Sequence, residues 1–221
     1  MKSILVIGMG RFGHHLAMDF LEHGHDVMII DENEEKMSDM LPFATSIKIG
    51  DCTKVEVLKS LGIKNFDVVF VCIGTNFQSS LEVTSLVKEL GAKRVISKAT
   101  RDIQAKFLLK NGADEVIYPE RDIAKKWAER YSLDNIFDYI DLPGEIGVYE
   151  MKVIPEWLGK SIREANISAK YKITVLGIKG KHDEVMSMLP SADYVMNENE
   201  HLMVMGENDT VEKLVKKFNK K

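Results

Sequence analysis

Gly8-Met9-Gly10-Arg11-Phe12-Gly13 follows directly on an apolar run, Ile4-Leu5-Val6-Ile7, and opens a segment of helical periodicity. This is the G-x-G-x-x-G spacing in the strand-to-helix setting that gives it meaning. Each glycine answers a physical need: the first permits a tight turn, the second lets a phosphate approach the backbone, and the third lets the helix pack on the sheet. The helix N-terminus behind them offers unpaired N–H groups and the positive end of a dipole to a pyrophosphate. Asp31 ends the next apolar run, about 20 residues on, where a carboxylate accepts hydrogen bonds from ribose hydroxyls and repels a 2′-phosphate. Strand, glycines, helix and acid in one unit point to an adenosine nucleotide or NAD, and away from NADP.

From residue 3 to about 131, short apolar runs alternate with longer helical segments, as in a doubly wound parallel sheet. The expected strands are 4–7, 26–30, 46–49, 68–72, 94–97 and 115–117. They are rich in Val and Ile, as suits strands covered on both faces. Thr53-Lys54-Val55-Glu56 has the form of a capping box, Asn111-Gly112 suits a left-handed helix end, and Pro119 suits a first helical position.

The pattern changes after Tyr131. Residues 134–142 read as a short helix-like crossover, and Pro143-Gly144 breaks the chain. Beyond it come a strand at 148–154, a short helix at 161–165, a strand at 174–178, a hairpin arm around 185–189, a strand at 201–205 and an amphipathic terminal helix at 211–221. The expected fold class is therefore α/β, a Rossmann-type doubly wound parallel sheet over 1–132. A crossover helix or linker at 133–143 joins it to a small α+β domain at 144–221.

Composition narrows the function. The 221 residues carry a formal net charge of -4, which argues against a general nucleic-acid binder. Cys52 and Cys72 are too few and too far apart for a disulfide framework or a four-cysteine metal site, so a reducing compartment fits. Met1-Lys2-Ser3 runs straight into a strand with no leader pattern, and no apolar run approaches the roughly 18 residues that span a bilayer. A role at a membrane would require docking onto something already there.

Gly50-Asp51 and Gly74-Thr75-Asn76 follow the third and fourth strands, at the carboxyl edge where open α/β sheets bind ligands. They read equally as nucleoside contacts or as loop and helix-cap chemistry. Arg11 reads either as a phosphate ligand or as an exposed loop arginine. Met9, Phe12, Cys52 and Lys98 complete the candidate cofactor contacts. His14, His15, His23, His25, His182 and His201 show no metal-ligand or triad spacing. Glu150, Lys152 and Asp183 are scattered, without the grouping that proton transfer requires. Glu120, on the residues alone, is a first-turn acid that suits a helix dipole.

Together these residues resemble the regulators of potassium conductance, the RCK family, and within it the KtrA/TrkA-type regulatory subunits of potassium uptake systems. The likeness spans the chain. It is carried by Gly8-Met9-Gly10-Arg11-Phe12-Gly13, Gly50-Asp51, Cys72-Ile73-Gly74-Thr75-Asn76, Gly112-Ala113-Asp114, Tyr118-Pro119-Glu120-Arg121-Asp122, residues 135–142, and the run from Ala169 to Lys179.

The resemblance implies a cytoplasmic, non-enzymatic sensor that docks beneath an integral-membrane potassium channel or transporter subunit of the KtrB/TrkH type. Its homodimers would assemble into an octameric ring, and exchange of ATP/ADP or NAD(H) would reset the gate. It implies further that Gly8, Gly10 and Gly13 hold phosphates, Arg11 the terminal phosphate, Asp31 the ribose, and that Asp51 and Thr75 lie near the nucleoside. Glu120 matches a family acid that reaches a neighbouring subunit's nucleotide with a divalent cation, Mg²⁺ or Ca²⁺. Some relatives bind cyclic di-AMP in the C-terminal domain, but Ala169-Lys170, Lys172 and Gly180 depart from the arginine and histidine of those binders. The competing reading of the same loop and Asp31 is a small NAD-dependent oxidoreductase.

Overall fold

The computed structural model describes residues 1–132, 136–142, 144–180 and 185–218. Pro143, His182, Asp183, the start of the expected crossover at 133–135 and the last three residues of the expected terminal helix lie outside them. The chain divides into two compact units, Met1–Ile123 and Ala124–Lys221.

The first unit is a parallel sheet of six strands: β1 (Ser3–Ile7), β2 (Asp26–Asp31), β3 (Ser46–Ile49), β4 (Val68–Val71), β5 (Val95–Lys98) and β6 (Glu115–Ile117). Their order is β3-β2-β1-β4-β5-β6, so the direction of winding reverses between β1 and β4. Side chains alternate across a strand, and β1 feeds two cores accordingly. Leu5 and Ile7 pack on one face with Leu58, Val69, Val71 and Val87, while Ile4 and Val6 pack on the other with Ala17, Ile29, Met37 and Met40. Burial on both faces explains why these strands read as continuous Val/Ile runs.

The connecting helices are α1 (Arg11–Glu22), α2 (Val55–Leu61), α3 (Phe77–Glu89) and α4 (Asp102–Lys110), followed by α5 (Pro119–Ser132). Pro119 takes the first position of α5, and Gly112 has φ +111° just past the end of α4, as expected. The capping box expected at Thr53 does not form. Lys54 is the N-cap of α2 without a side-chain bond, and the Thr53 hydroxyl instead donates to Asp51 Oδ1 at 2.6 Å. Because α2 starts one residue later than the box requires, Thr53 lies outside the helix end, and its N–H and hydroxyl both donate back to Asp51 Oδ1.

The second unit is an antiparallel sheet in the order β10-β9-β11-β8-β7. Its strands are β7 (Ile136–Leu142), β8 (Ile146–Lys152), β9 (Thr174–Lys179), β10 (Ser187–Met188) and β11 (His201–Glu207). Short helices α6 (Ile162–Ala165) and α7 (Ile167–Tyr171) precede β9, and α8 (Asn208–Phe218) ends the unit. Val211, Leu214 and Val215 of α8 pack with Met151, Trp157, Leu202 and Val204 in one core.

The helix-like crossover expected at 134–142 is therefore corrected: its described part is β7. Leu142 pairs with Ile146 across a turn in which Gly144 and Glu145 take φ of +90° and +60°. Positive φ at consecutive turn residues is hairpin chemistry, and β7 carries Ile136, Phe137, Tyr139 and Ile140, β-branched and aromatic residues that favour a strand.

Candidate functional site

The carboxyl ends of β1 to β4 converge on a cavity of about 290 Å³ at the point where the sheet reverses its winding. Gly8 and Gly10 from the loop after β1, Asp31 and Glu32 after β2, Gly50, Asp51, Cys52 and Thr53 after β3, and Cys72 to Asn76 after β4 line it.

The three glycines of the loop are under different constraints. Gly8 has φ +96°, and a Cβ there would lie 3.1 Å from Ile73 N in the loop after β4. Gly13 sits so close under the loop that a Cβ would fall 2.1 Å from the Gly8 carbonyl oxygen. Gly10 would meet nothing within 4 Å, so its backbone stands open at the cavity wall. Gly10 is also the N-cap of α1, with no side chain to fill the helix end and no acid in the first turn. The N–H groups of that turn remain uncompensated, which is what an anion requires.

Asp31 is the buried charge of the site, with its side chain 7% exposed. Its Oδ2 accepts from Met9 N at 2.7 Å and its Oδ1 from Asn33 N at 2.9 Å, so it holds the glycine loop as well as facing the cavity. Asp51 Oδ1 accepts from Thr53 N at 3.0 Å, and hydrogen bonds from the Thr53 side chain and backbone hold the Asp51 carboxyl below the usual carboxylate range. Asn76 Oδ1 accepts from Ser79 N at 3.2 Å and caps α3. Both residues thus perform loop and cap chemistry while lining the cavity. Burial pushes the thiols of Cys52 and Cys72 up to about 12, for Cys52 with help from Asp51 and Asp31. At neutral pH these are wall groups and not nucleophiles.

A second group of sequence candidates stands beside the cavity lining. Lys98, at the end of β5, directs its ammonium to within 3.8 Å of where a Gly74 Cβ would be, and lies 5.7 Å from the centre of the Phe12 ring. The same Nζ donates to Glu120 Oε1 at 2.6 Å. That bond, chiefly, holds the Glu120 carboxyl low, with a smaller contribution from the charge of Arg11. Arg11 is exposed at the first position of α1, and Met9 is buried in the core below the loop. Among the described residues, no group of three or more His, Cys, Asp or Glu side chains gathers to hold a metal ion.

Of the lining, the sequence does not single out Ile7, Ile30, Glu32, Lys36, Thr53, Cys72, Ile73 or Ser79 as contacts. Lys36 sits on a 3-10 helix (Glu34–Met40) whose short turns gave no helical signal, and its Nζ lies 3.3 Å from Asp31 Oδ1. Of the histidines, His14 pairs with Asp39 and His201 with Glu150, each at 2.8 Å.

Comparison with known proteins places this geometry in a family. Residues 4–119 match the TrkA-N domain and residues 148–219 the TrkA-C domain. The chain is similar to the Ktr system potassium uptake protein C of Bacillus subtilis, with 38% identity over 93% of this chain and 92% of that one. It is also similar to the Ktr system potassium uptake protein A of the same organism, with 37% identity over 96% of this chain and 95% of that one. Among solved structures, the GsuK channel bound to NAD superposes with a TM-score of 0.66 at 16% identity, a likeness of fold. It covers 100% of this chain and 40% of the GsuK chain.

Proposed function

The chain belongs to the regulator of potassium conductance family, in its KtrA/TrkA-type branch, and from that premise we propose that it is the cytoplasmic regulatory subunit of a potassium uptake system, switched by ATP and ADP in the cavity over its glycine loop. The observation that carries this reading is the open backbone of Gly10 beside the buried carboxylate of Asp31, which offers a phosphate end and a ribose end in one cavity.

In this reading Gly8, Gly10 and Gly13 shape the phosphate seat at the α1 N-terminus. Asp31 receives the ribose, while Asp51 and Thr75 flank the nucleoside. Arg11 and Lys98 attract the outer phosphates, Arg11 by a bidentate fork that suits a terminal phosphate and therefore favours ATP over NAD(H). Glu120 is exposed and paired with Lys98, and a single carboxylate of this kind becomes a Mg²⁺ or Ca²⁺ ligand when nucleotide phosphates draw the lysine away and supply further oxygens. The relatives are named as potassium uptake proteins, which supports a regulatory role over a catalytic one.

No described helix is long and apolar enough to cross a membrane. In this reading the chain acts by docking onto an integral-membrane subunit of the KtrB/TrkH type, in keeping with relatives named as potassium uptake proteins. Self-assembly into dimers and an octameric ring draws support from apolar side chains left exposed on helices, Ile103 and Phe107 on α4 and Ile123 and Trp127 on α5. Nucleotide exchange changes the gate to the extent that ATP and ADP bind its two states with different affinity.

The test is potassium flux into vesicles that contain the membrane subunit, with and without this chain, in ATP or ADP. A flux that depends on the chain and on which nucleotide is present supports the regulator. A flux indifferent to both contradicts it, and turnover of NADH with a small substrate would favour the oxidoreductase instead. Heat released on titration with cyclic di-AMP would assign a second ligand, and an inert titration would remove it.

A further inference from the structure

Asp31 ends β2 with three donors on its carboxylate. A carboxylate has about four acceptor positions. Here Oδ2 accepts from Met9 N at 2.7 Å, Oδ1 accepts from Asn33 N at 2.9 Å, and Lys36 Nζ spans the two oxygens at 3.3 and 3.5 Å. A ribose that places both hydroxyls on this carboxylate brings the donors to more than the about four positions available, so one of the three present must yield. Met9 N and Asn33 N are backbone groups, fixed by the glycine loop and by the turn after β2. Lys36 is different: its ammonium rides on a flexible four-carbon stem, and its side chain is 45% exposed.

The segment that carries Lys36 is held in place. Met37 and Met40 are fully buried, Asn33 Oδ1 accepts from Glu35 N at 2.9 Å, and Asp39 pairs with His14 of α1 at 2.8 Å. Release of the ammonium is thus a side-chain rotation and needs no movement of the backbone.

Resting on the nucleotide reading above, we infer that Lys36 is a displaceable stand-in for the ribose hydroxyls and sets how strongly the site distinguishes ribose from deoxyribose. With Lys36 present, a 2′-deoxy nucleotide leaves the ammonium partly in place, so the lost hydroxyl bond is replaced. Without Lys36, a missing hydroxyl leaves an acceptor position on a buried carboxylate empty, and that is costly.

The experiment is direct binding of ATP and 2′-deoxy-ATP, in chelator, to the full chain and to Lys36→Met and Lys36→Arg variants, with circular dichroism to confirm folding. The wild-type ratio of the two dissociation constants should lie below about threefold. Lys36→Met should raise it about tenfold, the worth of one hydrogen bond to a charged group, and Lys36→Arg should keep it near wild type. A ratio unchanged in Lys36→Met with ATP binding intact overturns the role of Lys36 alone. A wild-type ratio already well above tenfold does the same without any variant. Failure of the wild-type chain to bind either nucleotide overturns both this inference and the reading it rests on.

Discussion

The position of a Cβ on Gly13 lies 2.1 Å from the Gly8 carbonyl oxygen, whereas the same atom on Gly10 would meet nothing within 4 Å. The first distance is far inside van der Waals contact, and the obstacle is backbone that cannot rotate away. The loop and α1 therefore pack only if residue 13 has no side chain.

Two alanine substitutions should separate packing from recognition. Gly13→Ala should lower thermal stability sharply, with a cost of about 3 kcal/mol or more from overpacking at a backbone contact. Gly10→Ala should leave the melting temperature almost unchanged, since φ is -70° and the space is open. It should nevertheless weaken nucleotide binding at least tenfold, because the methyl group occupies the line along which a phosphate reaches the N–H groups. Calorimetry on the two variants checks both outcomes.

The Lys98–Glu120 bond carries a pH signature. Lys98 holds the folded-state value of Glu120 below the ordinary 4.5, so the stabilisation is present above that value and lost as pH falls through the lowered one. Thermal unfolding of wild type and Glu120→Gln should show a gap at neutral pH that closes on acidification. Solvent screening of the exposed Glu120 keeps that gap below about 1 kcal/mol. A gap that widens in acid would contradict the pairing.

Cys52 and Cys72 should resist alkylation in the folded chain near neutral pH, because burial raises both thiols to about 12. Both should react in denaturant, where the ordinary value returns. Protection of both should increase further with bound nucleotide, because both line the cavity. A thiol-reactive chromophore follows the two rates.

In the second unit, Ser161 and Glu164 form a reciprocal capping box: Ser161 Oγ accepts from Glu164 N at 3.1 Å and Glu164 Oε2 accepts from Ser161 N at 2.8 Å. Ser161→Ala should cost about 1 kcal/mol, read as a lower urea midpoint with an unchanged slope.

Much of this architecture was legible because it rests on local patterns. The strand-glycine-helix unit at residues 4–13 and the Val/Ile runs gave all six parallel strands to within a residue or so, since strands covered on both faces have no polar alternation to blur them. The crossover at 134–142 was misread because a short segment with aromatic and aliphatic residues fits either period. Its pairing with β8 is a tertiary fact that the neighbouring Gly144 turn only hints at. The Thr53 capping box does not form for a different reason: α2 begins at Val55 with Lys54 as its N-cap, so Thr53 stands one residue too early to cap it. Lys36 escaped notice because a lysine five residues after an acid carries no motif, and only the turn through Asn33 folds it back onto Asp31.

The claim that this chain senses nucleotide is tested most directly by stripping it of bound ligand and titrating the full-length protein with ATP, ADP, NAD and NADH by calorimetry. Saturable binding of ATP and ADP, weakened at least about tenfold in Gly10→Ala and with the nucleotide recovered chemically unchanged, is the predicted result. No binding of any of the four, or a nicotinamide consumed during the titration, would contradict it.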